Sequence, residues 1–173
     1  PEMSQRFTPT VIALLLMLPA GSAWSQTTCE MVEVRSAQPF STGSLPRFAA
    51  REVLDVDFNV LFPESFAGAH VLHLELFTPN GHLYQRLDVP IDDASSKRMT
   101  RALKGYPRPL KVERLQPRQV DDATAQKVAR VRLPLAGTSV VKRGMYGIWR
   151  VRVTLDDAKE ACASARFALF AKK

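Results

Sequence analysis

The chain has 173 residues, 46% of them hydrophobic and 24% charged, with a net charge of +7. That is one domain of ordinary size with enough apolar residues for a core. The balance excludes a wholly disordered chain.

Residues 1–25 carry a leader pattern. Met3 is the expected initiator, and Arg6 makes the start positively charged. Val11-Ile12-Ala13-Leu14-Leu15-Leu16-Met17-Leu18 is a compact apolar run, and Pro19 to Ser25 is small and turn-prone. That order is expected of a secretory signal peptide. The run is short for a membrane span. Ala23 and Ser25 place cleavage before Gln26, with a retained N-terminal anchor as the alternative. Gln26-Thr27-Thr28 lacks the Leu-like residue that lipid attachment needs three before a Cys, so Cys29 is not expected to carry a lipid. Removing the leader takes one Arg and one Glu, and the charge stays +7.

Residues 26–173 are expected to form a single β-sandwich domain. Cys29 and Cys162 are its two cysteines. In an exported chain an even count reads as a disulfide, here tying the first segment to the last. Two buried free thiols are the alternative.

After the leader the dominant period is two. Met31 to Arg35 is a first strand. Val56, Phe58, Val60 and Phe62 alternate with Asp55, Asp57, Asn59 and Leu61. Leu72, Leu74 and Leu76 alternate with His73, Glu75 and Phe77. Leu83, Leu87 and Val89 alternate with Tyr84, Arg86 and Asp88. Leu110 to Leu115 reads as an edge strand. Val131, Leu133 and Leu135 follow, then Trp149, Val151, Val153 and Leu155, then Ala165, Phe167 and Leu169. Each run has one wet and one dry face. Prolines 63, 79, 90, 107, 109, 117 and 134 fall at or between the ends of these runs. No amphipathic helix longer than about three turns is expected. The pattern predicts an antiparallel sandwich of about seven or eight short strands.

The stretch from Glu75 to Ile91 reads as a hairpin. Leu74 opposite Leu87 and Leu72 opposite Val89 fill the dry side. Glu75 opposite Arg86, His73 opposite Asp88 and Phe77 opposite Tyr84 fill the wet side. That register requires an even-numbered loop, either the two residues Asn80-Gly81 or the four from Pro79 to His82. The stretch is thereby explained with no catalytic role.

Gly144-x-Tyr146 ahead of a strand, with Trp149 as its core anchor, resembles the tyrosine corner of immunoglobulin-like sandwiches. Ile148 stands where the antibody type has Cys. The resemblance covers residues 50–170 and is to the bacterial immunoglobulin-like and macroglobulin-type sandwiches of exported proteins. It implies an immunoglobulin-like antiparallel β-sandwich and fixes no ligand.

Catalytic sets are sparse. His70, His73 and His82 lack convergent partners of zinc-site spacing. No Gly-x-Ser-x-Gly elbow or Gly-rich phosphate loop occurs. Asp92-Asp93, Asp121-Asp122 and Asp156-Asp157 each read as turn residues. No metal, cofactor or catalytic residue is therefore expected. An enzyme with a site assembled across loops stays open as an alternative.

A basic, loop-rich insertion near 93–127 is the strongest functional signal. From Lys97 to Arg132 eleven cations stand against three acids, a local +8. Arg98, Arg101, Lys104, Tyr106, Arg108 and Lys111 are the candidate ligand-binding residues. The first expectation is an exported, non-enzymatic assembly module that binds another envelope or surface protein. The second is a binder of anionic glycan or another acidic envelope polymer. Nucleic acid is not expected as a partner, since export removes the chain from it and no reading motif occurs. Membrane contact is expected to be peripheral at most.

Overall fold

The computed structural model describes residues 29–36, 45–93, 97–121 and 124–171. The leader and its cleavage site lie outside the described residues.

Alternation decides the architecture. In β3 (Asp55–Pro63) the residues Val56, Phe58, Val60 and Phe62 are fully buried. In β4 (His70–Phe77) the same holds for Leu72, Leu74 and Leu76, and in β11 (Gly147–Leu155) for Trp149, Val151 and Val153. These dry faces pack against one another as two sheets. One sheet runs β1 (Met31–Arg35), β3, β10 (Ala125–Pro134), β9 (Gln116–Gln119). The other runs β2 (Arg47–Ala49), β12 (Ala163–Phe170), β11, β4, β5 (Leu83–Asp92), β8 (Glu113–Arg114). A separate two-stranded hairpin joins β6 (Thr100–Arg101) and β7 (Leu110–Lys111). The single helix among the described residues, α1 (Ser139–Lys142), is one turn.

The fold is an all-β sandwich. Its body is eight strands of four residues or more, and the four shorter strands are additions to it. Two edge strands, β2 and β8, pair parallel with their neighbours, and every other pairing is antiparallel. Phe58 of one sheet meets Phe167 of the other edge-on at 5.7 Å, and Trp149 stacks on Phe167 at 6.3 Å. Ring pairs in these geometries add to the gain from burial alone.

Cys29 and Cys162 form a disulfide, with Cα atoms 5.3 Å apart across a sequence separation of 133 residues. It joins the residues just before β1 and just before β12, one in each sheet.

Four expectations need correction. The β4–β5 register is as expected from His70 to Leu76, but Phe77 pairs with Leu83, not Tyr84. The loop is odd: Thr78 N–H reaches His82 O at 2.9 Å, enclosing Pro79, Asn80 and Gly81, with Gly81 at φ +82°. A bulge between Leu76 and Phe77 then restores the register that the core demands. It also exchanges two faces. Leu83 is 54% exposed, while Tyr84 turns to the core edge-on against Trp149 at 5.2 Å.

Pro90 lies inside β5, not at its end. It stands opposite Val71, whose N–H and C=O both bond Asp156 on the other side. No ladder bond is asked of Pro90 there, so the missing N–H costs nothing. Pro117 likewise lies within β9.

Leu110 to Leu115 is no single strand. Buried Val112 divides it into β7, which closes the small hairpin, and β8, which joins β5. Leu115, 1% exposed, then anchors the chain in the core as it crosses to the other sheet to become β9. Finally, Asp92 is a buried residue of β5, not a turn residue. Asp156 is the turn residue of its pair, at φ +51°.

Candidate functional site

The outer face of the six-stranded sheet is written by the polar half of each alternation. Arg166 of β12, Arg150 of β11 and Phe77 of β4 form one cross-strand row. Ser164, Arg152, Glu75 and Arg86 form the next. Thr154, His73 and Asp88 form the third.

The third row is built around one carboxylate. Asp88 Oδ1 accepts from Arg86 Nε at 2.8 Å and faces His73 Nδ1 at 2.5 Å. Asp88 Oδ2 accepts from the Tyr106 hydroxyl at 2.9 Å. Burial works against ionising Asp88, but the bonds from Arg86, His73 and Tyr106 together hold its carboxyl below the usual range. Burial and then the bond to Asp88 push the Tyr106 hydroxyl up. The hydrogen bond to Asp88 likewise raises Arg86. An acid held ionised by three donors is an anchor, with most of its lone pairs committed.

What it anchors is the basic hairpin. β6 and β7 pair Thr100 with Lys111 and Arg101 with Leu110. The turn between them uses Gly105 at φ +90° and the bond from Tyr106 N–H to Leu103 O at 3.2 Å. Two side chains fasten it to the sheet: Tyr106 to Asp88, and Arg101 Nη1 to His70 O at 3.1 Å.

The six candidate residues therefore divide. Arg101 and Tyr106 point to the sheet and hold the hairpin. The carbonyl of Arg98 accepts from Arg114 Nη2 at 3.4 Å. Lys104, Arg108 and Lys111 are exposed.

Residues that the sequence reading passed over complete the face. Arg150 lies over the Phe77 ring at 4.7 Å. Arg152 Nη2 donates to Lys159 O at 2.8 Å, and its Nη1 sits 3.9 Å from Glu75. Arg150 and Arg166 are directly opposed. The signal was present in the alternation of Arg150 and Arg152 with Trp149, Val151 and Val153. That alternation marks a wet face without marking it as a cationic one. Guanidiniums spaced along a sheet suit carboxylates and other planar anions.

No protein-family model matches the chain, and no curated protein matches it.

The histidines are held apart. His70 places Nδ1 2.7 Å from Asp156 Oδ2 and Nε2 3.0 Å from Ala67 O. His73 serves Asp88, and His82 is exposed at the hairpin loop. Among the described residues no three of His, Cys, Asp and Glu gather as a metal-binding group.

Proposed function

We propose that the protein is an exported, non-catalytic, immunoglobulin-like binding module. Its cationic face, the outer side of the six-stranded sheet with its anchored basic hairpin, docks an acidic face of another envelope or surface protein.

The observation that carries this is the direct opposition of Arg150 and Arg166. Like charges placed opposite each other weaken a sheet. An acidic partner relieves that repulsion. Export is supported by the leader pattern and by the disulfide, which suits an oxidising compartment. The immunoglobulin-like reading is supported by strand order. The run β1-β3-β10-β9 against β12-β11-β4-β5 follows the A-B-E-D and G-F-C-C′ arrangement.

An acidic envelope polymer is the second reading. It is favoured by the spread of exposed charge over both hairpin and sheet. A pull-down from an envelope fraction, washed at low and high salt, separates the two. A discrete protein retained by the wild type and lost with Lys104, Arg108, Lys111 and Arg150 all replaced by Ser supports docking. Capture of acidic polysaccharide alone supports the polymer. Equal capture by wild type and variant rejects both.

A further inference from the structure

The four-stranded sheet ought to have a wet outer face, yet its middle is buried. Asn59 and Leu61 of β3 are on that face and are only 8% and 3% exposed. A side-chain strap spans that face beside Asn59. Arg118 starts on β9 at one edge, crosses β10 and β3, and donates to Glu33 Oε2 on β1 at the other edge, at 2.9 Å. Arg35 meets the same carboxylate oxygen at 2.8 Å.

Asn59 Oδ1 has no hydrogen-bond partner. A buried acceptor left unpaired costs about 1–3 kcal/mol. Asn59 lines a cavity of about 340 Å³, together with Arg35, Arg118, Arg130, Gln116 and Glu113. That volume is at the lower end of small-molecule sites, which run from about 300 to 1,000 Å³, and suits a single ring. Three guanidinium residues surround an acceptor that asks for a donor. Burial raises Glu113 above the ordinary carboxyl range, against the pull of Lys111 and Arg130.

We propose that this cavity binds a small hydroxyl-bearing carboxylate of the sugar-acid class. The ligand's carboxylate is held by Arg35, Arg118 and Arg130, taking the place that Glu33 occupies between two of them. One of its hydroxyls donates to Asn59 Oδ1. The site is built mainly on the four-stranded sheet, with Glu113 reaching it from the edge of the other, and its test does not depend on the partner proposed above.

The test is an NMR titration of the ¹⁵N-labelled protein with D-glucuronate, beside glucose, which lacks the carboxylate, and acetate, which lacks the hydroxyls. Glucuronate is expected to shift the Asn59 side-chain amide signals and to bind about tenfold or more tightly than either control. Arg130→Gln, at an exposed position, is expected to weaken glucuronate by about tenfold. An oligouronate binding tighter than the monomer assigns a polymer end as the source, and equal affinity assigns the free acid. Unmoved Asn59 signals, acetate binding as well as glucuronate, or Arg130→Gln binding like the wild type would each overturn the proposal.

Discussion

The Tyr106 hydroxyl donates to Asp88 Oδ2 at 2.9 Å, fixing the turn of a basic hairpin to the outer face of the sheet. Most of the hairpin's other side chains are exposed, and this bond and the one from Arg101 to His70 O are two side-chain ties between it and the sheet. Tyr106→Phe should cost about 1 kcal/mol or less in global stability. Its effect should be local, with faster amide exchange in Thr100–Arg101 and Leu110–Lys111 and unchanged protection in β3 and β11. Asp88→Asn should cost more, about 1–3 kcal/mol, because Arg86 and His73 lose the same partner. Uniform exchange across the whole chain in Tyr106→Phe would show that the hairpin is not separately anchored.

Acid should release the same anchor. The Asp88 carboxyl is held below its ordinary range in the folded chain. Its contribution is therefore fully present above the unfolded value of about 3.9, and is lost as pH falls through the lower folded value. Glu113 has the opposite sign. Burial raises it, so stability falls as pH rises from its unfolded value of about 4.3 through the higher folded one. Urea denaturation between pH 2 and 7 separates the two. Asp88→Asn should flatten the acid limb, and Glu113→Gln should flatten the decline above it.

Gly147 is a position where a side chain does not fit. It has φ +131°, and an added Cβ would come within 2.9 Å of both Cβ and Cγ of Pro79. The proline ring belongs to the β4–β5 loop, which therefore lies close over the start of β11. Gly147→Ala should destabilise the protein by about 1–3 kcal/mol through backbone strain and the clash together. Gly81→Ala, which meets nothing within 4 Å, should cost only its backbone strain at φ +82°. Thermal melts of the two variants give the comparison, and equal losses would mean that the Pro79 contact is relieved by movement of the loop.

The disulfide closes a loop of 133 residues. In the chain-entropy treatment that is a stabilisation of about 4–5 kcal/mol. Replacing Cys29 and Cys162 together by Ser should lower the melting temperature by roughly 10 °C. A change under about 2 °C would mean that the unfolded chain gains little freedom when the bridge is cut.

Strand positions and most of the hairpin register were legible because period-two alternation is a local signal. Leu72 and Leu74 could face only Val89 and Leu87 if one side was to be dry, and they do. The end of the same hairpin was not legible. Pro79-Asn80-Gly81 prefers an odd loop and the core prefers an even register, and a bulge satisfies both by turning Tyr84 inward. The basic segment was legible as charge but not as shape. That Arg101 and Tyr106 fasten the hairpin was not legible, because their partners, His70 O and Asp88, are distant in sequence. The Arg118 strap was hidden for the same reason: 85 residues separate it from Glu33.

The most direct test of the cationic face is the salt dependence of binding to immobilised poly-L-glutamate, wild type against Lys104, Arg108, Lys111 and Arg150 all replaced by Ser. Binding that is strong at low salt, falls steeply as the ionic strength rises, and is lost in the variant is the predicted result. Binding that is absent at low salt, or unchanged in the variant, would contradict it.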